Sequence, residues 1–340
     1  MIPVLSLPTW DKLMKAFRGF RRSRPWSLIE AQHIFGFRDP QSGRRYFCSV
    51  LGSAGMVTGF YVFPQEEALF QYFDQTLSPT VDVSLRQNMI AFTMGSMDEL
   101  FDEEYDIYES QGYHFAKGKC FLFHVYEIGY APFVLNEEQA EILLCGYEVL
   151  KQIISLLKED TNFQNVLFQD GNDMKIPFFT KDRKAWNYQV ETLDSYLRKQ
   201  RIYSMDAIQF DKRDKPVHGT WEIGTLYMPA AIPSVHPNRY FYPKVLIVAD
   251  REDNRIIAIL TKEERHDSEV FIPSFFALLQ NYEYLPACIM TRGQEAAELF
   301  KELDTVLDVK VLENSAPVSI LDQIWAGFLD FAHKNRSIQS

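Results

Sequence analysis

The chain has 340 residues, a formal net charge of −11 and a pI near 5.2, and 46% of its residues are hydrophobic. These values argue against an intrinsically disordered chain and leave room for two domains that each bury a core. They also argue against a bulk surface that binds nucleic acid non-specifically, because such binding relies on cations that displace counterions from phosphates. A local basic patch remains open, and we expect a protein or a small ligand as the partner.

The distribution of apolar residues and cysteines indicates in which cellular compartment the protein is expected. Nowhere do about eighteen apolar residues run together, and the N-terminus has no apolar signal segment, so we predict neither a membrane span nor a secretory signal. The cysteines lie far apart without a Cys-x-x-Cys pair, which favours buried free thiols over disulfides. They are Cys48, Cys120, Cys145 and Cys288. A cytoplasmic protein is therefore expected.

Residues 1–25 are predicted to form a basic N-terminal helix. Apolar residues from Trp10 to Phe20 recur at helical spacing behind Thr9, which is suited to cap a helix, and the other face is basic. Such a helix could lie on an anionic membrane or on a nucleic acid. Because it is short and contains Gly19, we favour a helix docked on the body of the protein with a solvated basic face.

Residues 26–212 are predicted to form an N-terminal α+β domain. Short runs rich in β-branched and aromatic residues predict strands, and longer periodic segments predict helices. The predicted strands are Tyr46–Leu51, Phe60–Phe63, Leu85–Met94, Gln164–Phe168, Lys175–Phe179 and Trp186–Glu191. The predicted helices are Pro64–Phe73, an acidic Met97–Glu109 and a long helix from Asn136 to Leu157.

Two segments of this domain resemble ligand-binding loops. Gly52–Gly59 is glycine-rich like a phosphate loop, but it lacks the Lys-Ser/Thr ending and joins two predicted strands, so we favour a hairpin connection. Met97–Glu109 carries seven carboxylates without the glycine and Asx spacing of an EF-hand loop. We interpret it as an acidic, solvated helix face rather than as a calcium site.

The segment from Gly112 to Pro132 is the strongest candidate for ligand binding in the first half. Its aromatic density and its glycines predict a strand that enters a shaped loop. His114 and His124 have no acid or cysteine at a metal-ligand spacing, so we predict packing or hydrogen-bonding roles and no metal site. The candidate binding residues are Tyr113, His114, His124, Tyr126 and Tyr130.

Residues 213–340 are predicted to form a C-terminal α/β domain, which begins in the charged, proline-containing segment Phe210–Pro216. The predicted elements are a strand Trp221–Met228, a hairpin of Tyr240–Asp250 and Ile256–Leu260, helices Val270–Tyr282, Gln294–Leu307 and Ile320–Phe331, and strands Ala287–Met290 and Val309–Leu312. The whole chain is thus predicted to be an α+β protein with two mixed β-sheet domains and covering helices.

Scattered turn and aromatic positions resemble those of a bacterial two-module family whose halves are domains of unknown function. They are Trp26–Glu30, Phe35–Gly43, Val50–Gly52, Gly129–Pro132 and Tyr242–Asp250. The resemblance implies a bacterial cytosolic protein and brings no catalytic residues. The sequence departs from the pattern at Phe123-His124, where the resemblance implies a proline.

The order of elements in the C-terminal half is similar to the ribonuclease H and integrase fold. That resemblance implies two magnesium ions held by carboxylates from the first strand, a later central strand and a late helix. Asp250 is the candidate for the first position and Asp322 for the last. The central strand ends at Thr291-Arg292 and offers no carboxylate.

Three functions follow from these observations. The first is a non-enzymatic binding or regulatory protein without a cofactor, which is favoured because no nucleophile and base converge in the sequence. The alternative is a metal-dependent phosphodiesterase or nuclease of degenerate ribonuclease H-like type, with Asp250, Asp322 and magnesium. Hydrolysis by a serine or cysteine nucleophile is disfavoured, because Gly-x-Ser-x-Gly is absent.

Overall fold

A computed structural model describes residues 5–77, 85–114, 119–168, 175–183, 185–193, 215–236, 239–261, 268–313 and 319–336. The chain divides into two compact units. Unit 1 contains Met1–Ile128 and Pro132–Leu197, and unit 2 contains Gly129–Ala131 and Arg198–Ser340. The predicted boundary at residue 212 lies outside the described residues.

Unit 1 is built on an eight-stranded sheet with the order β6-β5-β4-β3-β2-β1-β7-β8. Its strands are β1 (Phe35–Arg38), β2 (Arg45–Leu51), β3 (Gly59–Pro64), β4 (Met89–Ser96), β5 (Lys119–Tyr126), β6 (Phe133–Val134), β7 (Lys175–Asp182) and β8 (Ala185–Thr192). Its helices are α1 (Leu7–Ser23), α2 (Gln65–Leu77), α3 (Asp102–Ser110), α4 (Glu137–Glu159) and α5 (Thr161–Leu167). Neighbouring strands run antiparallel except β1 and β7, which are parallel.

The predicted N-terminal helix is α1, and it packs into the core of unit 1. Leu13, Phe17 and Phe20 are fully buried, and the Phe17 ring stacks on Phe92 of β4 with centroids 4.1 Å apart. Each buried phenylalanine contributes roughly 1.5–3 kcal/mol of burial free energy. The apolar face of α1 is therefore used inside the protein, as the docked-helix interpretation requires.

Two predictions in unit 1 are wrong. The segment Gln164–Phe168 was expected as a strand, but it lies mostly in helix α5. Asp160 caps that helix by accepting the N–H groups of Asn162 and Phe163, at 2.8 and 3.2 Å. Only Val166, Leu167 and Phe168 of this segment are apolar, and so short a run has no periodicity that separates a strand from a helix turn. The cap therefore decides the outcome.

The predicted acidic helix Met97–Glu109 also differs from the structure. A 3-10 turn covers Met97–Glu99, and α3 begins only at Asp102. Glu104 is 1% exposed, so the expectation of a solvated acidic face is wrong at this residue. Its carboxylate lies beside His124 instead.

Unit 2 contains a five-stranded sheet with the order β13-β12-β9-β14-β15 and a separate pair β10-β11. Its strands are β9 (Thr220–Tyr227), β10 (Ile232–Pro233), β11 (Tyr240–Phe241), β12 (Lys244–Asp250), β13 (Arg255–Thr261), β14 (Cys288–Arg292) and β15 (Lys310–Glu313). Its helices are α6 (Phe271–Asn281), α7 (Gln294–Leu299), α8 (Leu303–Leu307) and α9 (Ile320–Arg336). Strand β12 is antiparallel to β9 and β13, whereas β14 is parallel to β9 and β15.

The hairpin predicted in this half is confirmed, with Asn254 in the left-handed conformation of its turn at φ 49°. The predicted strand Tyr240–Asp250 is two strands, because Pro243 has no N–H to donate and interrupts the ladder. The predicted helix Gln294–Leu307 is likewise two helices, α7 and α8. Both units combine mixed sheets with helices, which confirms the α+β class.

The two faces of the five-stranded sheet are separate cores. Trp221 and Ile223 of β9 point to the side that α6 covers, and Leu226 points to the side that α9 covers. This alternation follows from the two-residue period of a strand. Gly224 lies under α9, where an added Cβ would meet Leu321 at 2.6 Å.

Candidate functional site

The carboxyl ends of the parallel strands β9 and β14 gather polar side chains in unit 2. In open sheets of this kind ligands bind outside the carboxyl ends of the strands, so this end is the natural place to look for a site. Strand β12 is antiparallel and begins here, with Lys244 opposite Tyr227 of β9. Arg292, the last residue of β14, lies opposite Gly224.

The first charged group at this end is built around Glu295, in the first turn of α7. Its Oε1 lies 2.5 Å from Nζ of Lys244 and accepts a 2.6 Å hydrogen bond from Oγ of Ser268. Its Oε2 accepts a hydrogen bond from Oγ1 of Thr225 at 3.1 Å. Lys244 is only 3% exposed, and an ammonium that is removed from water is stable only beside a partner of opposite charge.

The second charged group joins Arg292 to Asp322 of α9. Nη2 of Arg292 lies 2.7 Å from Oδ2 of Asp322, and Nε lies 3.4 Å from Oδ1. The same carboxylate accepts the N–H of Ser319 at 3.1 Å, while Oγ of Ser319 accepts the N–H of Asp322 at 3.0 Å. This reciprocal pair is a capping box at the start of α9. Asp322 thus serves both an ion pair and a helix cap.

The carboxylate within the first strand of this sheet is Glu222, which is fully buried. Its Oε2 lies 3.9 Å from Nη1 of Arg251. The carboxylates of Glu222, Glu295 and Asp322 therefore each lie beside a basic side chain. Glu222 and Lys244 are not among the site residues predicted from the sequence. The signal that could have identified each of them is a charged residue inside a mostly apolar predicted strand.

Asp250 lies at the other end of the sheet. It pairs with Trp221 at the beginning of β9, three residues and roughly 10 Å before the Gly224 position that Arg292 faces. The strand that it ends, β12, follows β9 in the chain and is not the first strand of this sheet. The structure therefore does not bring Asp250 and Asp322 together.

The Asp250 carboxylate is fully engaged in hydrogen bonds. Oδ2 accepts the Tyr284 hydroxyl at 2.5 Å, and Oδ1 accepts the N–H groups of Glu252 and Asp253 at 2.9 and 3.2 Å. Burial raises the pKa of Asp250, but these hydrogen bonds and the nearby Arg255 outweigh it and leave the pKa below its ordinary value. Asp250 is the acceptor of an Asx-type turn.

In unit 1, His124 is the candidate binding residue that lies in a polar cluster. Its Nε2 is 2.9 Å from Oε2 of Glu104, and the Phe101 ring lies 4.7 Å from the imidazole. Oε1 of Glu104 and the indole N–H of Trp10 are buried without a hydrogen-bond partner among the described residues. Both side chains line one pocket, together with Leu5, Ile107 and Leu135. Its volume of about 10 Å³ is close to the space of one water molecule.

The other candidates are not gathered around this pocket. Tyr126 packs with the apolar residues beside α2, and His114 is exposed. The hydroxyl of Tyr113 donates to Asp11; burial and this hydrogen bond raise the pKa of Tyr113 to about 12. Tyr130 belongs to unit 2, where the guanidinium of Arg239 lies 4.2 Å from its ring centroid.

Two family models match the chain. Residues 10–177 match "Domain of unknown function (DUF7309)", and residues 208–329 match "Domain of unknown function (DUF6930)". The chain therefore contains two adjacent regions that each match a domain of unknown function. This confirms the two-module resemblance drawn from the sequence. A comparison with curated proteins finds no match.

The region that matches DUF6930 contains the three carboxylates described above, and their surroundings decide whether magnesium would fit. Magnesium needs oxygen ligands that are free to approach it. Glu295 and Asp322 are each held by a cation at 2.5–2.7 Å, and β14 ends in an arginine, so the residues present do not fit the ion. Across the described ranges, no group of three or more His, Cys, Asp or Glu residues is arranged to hold a metal.

The cysteines in the region that matches DUF7309 do not resemble nucleophiles. Cys48 and Cys120 are buried, and Cys145 is half-buried. Burial raises the pKa of the Cys120 thiol to about 12 and that of Cys145 to about 11. A thiol with such a pKa is almost entirely protonated near neutral pH and reacts slowly.

A membrane span was not expected from the sequence. In the described part of the chain, no helix combines the length and the apolar character that crossing a bilayer requires.

Proposed function

We propose that this protein is a non-enzymatic binding protein in which the DUF6930 domain is a scaffold of ribonuclease H-like element order. The proposal rests on one observation. The acids on the first strand, after the central strand and on the late helix each lie beside a basic side chain, in the pairs Glu222–Arg251, Glu295–Lys244 and Asp322–Arg292. Enzymes of that fold need such acids for metal ions.

The energetics of these pairs support a structural role. A metal ion at Glu295 would have to displace Lys244, whose ammonium is buried and would lose the carboxylate that lies 2.5 Å away. Leaving a buried charge unpaired costs roughly 3–5 kcal/mol. A metal at Asp322 would in addition release the cap of α9, at a cost of about 1 kcal/mol. Both costs oppose conversion of this end of the sheet into a two-metal site.

The experiment compares thermal unfolding of the full chain with EDTA, with 10 mM Mg²⁺ and with 10 mM Mn²⁺. We expect the three Tm values to agree within about 1 °C, because a ligand raises Tm only if it binds the folded state. Incubation with labelled single- and double-stranded DNA and RNA in the same buffers should leave the substrates intact.

The control separates a metal site from a general salt effect. Asp322→Asn keeps the shape of the side chain but removes the charge that a metal would need. A metal-dependent rise in Tm or cleavage that disappears in Asp322→Asn would overturn the proposal and establish the phosphodiesterase alternative. Asp250→Asn provides the matched comparison at the other end of the sheet, where no metal effect is expected.

A further inference from the structure

The outward face of α1 carries a cluster of exposed basic residues. Every one of its basic residues is exposed, and they are Lys12, Lys15, Arg18, Arg21 and Arg22, followed directly by Arg24. Lys12 is paired with Glu141 of α4. Asp11, the acidic residue of α1, accepts a hydrogen bond from the hydroxyl of Tyr113. This surface, from Lys15 to Arg24, is called the α1 basic face below.

The helix macrodipole explains part of the positive charge on α1. Cations near the end of a helix interact favourably with its macrodipole, which suits Arg21, Arg22 and Arg24. Lys15 and Arg18 lie in the middle of the helix, where that effect has faded. Among the described residues, Lys15, Arg22 and Arg24 form no ion pair. Their charge is therefore available to a ligand.

Aromatic rings hold two of these arginines in place. The guanidinium of Arg18 lies 5.7 Å from the ring centroid of Tyr113, and that of Arg21 lies 5.8 Å from the ring of Phe121. On α4, Nζ of Lys151 likewise lies 5.4 Å from the ring centroid of Tyr147. A pre-positioned cation loses less conformational entropy when it binds an anion.

We propose that the α1 basic face binds the phosphate backbone of a nucleic acid, which names a partner class for the binding protein proposed above. The face is a row of cations that spans roughly 14 Å over the ten residues from Lys15 to Arg24, as suits a linear chain of phosphates. Arginine predominates on it, and its planar fork of donors matches phosphate oxygens. The face is local, so the bulk acidity of the protein does not contradict it.

Other anionic partners fit this surface less well. A membrane-bound amphipathic helix inserts an apolar face, but Leu13, Phe17 and Phe20 of α1 are already buried in unit 1. A protein interface needs a central apolar or aromatic anchor, and the exposed side of α1 offers no large apolar residue after Leu7. Backbone contacts carry no base information, so binding is independent of sequence.

The test measures binding of the full chain to a fluorescein-labelled 20-base-pair DNA duplex of mixed sequence by anisotropy, from 50 to 200 mM NaCl. Each phosphate contact adds about 0.9 to the slope of log K against log salt, so about five contacts give a slope near −4.5. The variant Arg18→Gln/Arg22→Gln should reduce the slope by about 2. Both residues are exposed, so the Tm should change by no more than about 2 °C.

The matched control removes two exposed cations elsewhere, in Lys175→Gln/Lys310→Gln, and should keep the full slope. Absence of binding at 50 mM NaCl, or an unchanged slope in Arg18→Gln/Arg22→Gln, would overturn the proposal. So would tighter binding of polyglutamate or of phosphatidylserine vesicles that is lost in the same variant. None of these results bears on the metal-binding test of the scaffold role. Conversely, metal-dependent cleavage would overturn the scaffold role even if the α1 basic face binds the duplex.

Discussion

The hydroxyl of Tyr284 donates a 2.5 Å hydrogen bond to Oδ2 of Asp250. Oδ1 of the same carboxylate accepts the backbone N–H groups of the turn that follows β12. The Asp250 side chain thereby connects the end of β12 and the turn after it to the segment that precedes β14. The Trp221 ring packs edge-on against Tyr284 with centroids 6.0 Å apart, so the hydrogen bond is part of the core.

This geometry predicts a pH dependence of stability. The folded pKa of Asp250 lies below the ordinary 3.8, so its stabilisation is complete above pH 3.8 and is lost as the pH falls through the folded pKa. Tyr284→Phe should lower the free energy of unfolding by about 1.5 kcal/mol near neutral pH, since it removes a hydrogen bond to a charged group. Urea unfolding between pH 3 and pH 7 measures both effects, and the deficit of Tyr284→Phe should shrink at the acidic end. A deficit that is equal at all pH values would contradict the assignment.

The buried ion pair of Lys244 and Glu295 predicts strong coupling. Glu295→Gln removes the negative charge that lies 2.5 Å from the buried ammonium of Lys244 and should cost about 3 kcal/mol in urea unfolding. The double variant Lys244→Met/Glu295→Leu removes both charges and should be closer to wild type than either single change. Independent, additive losses would show that the pair is not coupled.

The more exposed pair Arg292–Asp322 is the comparison for that experiment. Its side chains are 29% and 43% exposed, so water screens the attraction. We expect Arg292→Gln to cost no more than about 1 kcal/mol. A larger loss would mean that the cap of α9 depends on this arginine.

Two glycines within helices should respond in opposite directions to alanine. At Gly327 of α9 an added Cβ meets nothing within 4 Å, so Gly327→Ala should stabilise the protein by about 0.5–1 kcal/mol through helix propensity. At Gly19 of α1 the Cβ would lie 2.6 Å from the Tyr147 hydroxyl. Gly19→Ala should therefore destabilise by about 1 kcal/mol or more, because the ring must move in a packed core. Thermal unfolding of both variants checks this, and equal effects would contradict it.

The pocket beside Glu104 predicts an ordered water. Oε1 of Glu104 and the indole N–H of Trp10 are buried, and both side chains line a pocket of about 10 Å³. Buried polar atoms in such cavities are normally satisfied by water. A crystal structure at about 2 Å resolution should show a water bonded to Glu104, and Glu104→Ala should cost about 3 kcal/mol because His124 loses its partner. An empty pocket in clear density would refute the prediction.

Features with local determinants were predictable from the sequence. The hairpin of β12 and β13 depends on two apolar runs around Asp253-Asn254, and α4 depends on the capping box of Asn136 and Gln139. In both, the deciding contacts join residues only a few positions apart. The prediction of a strand at Gln164–Phe168 is wrong because its apolar run of three residues is too short to show a period.

The sequence by itself determined the α+β class, the two-module organisation and the docked amphipathic helix, since composition and periodicity are properties of short stretches. Only the tertiary structure decided which charged residues lie together. Glu295 contacts Lys244 across 51 positions of the sequence, and Arg292 contacts Asp322 across 30. Asp250, in contrast, lies at the opposite end of the sheet from the Arg292–Asp322 pair. The physical reason is that strand order and direction set these neighbours, and both are fixed by the packing of the whole sheet.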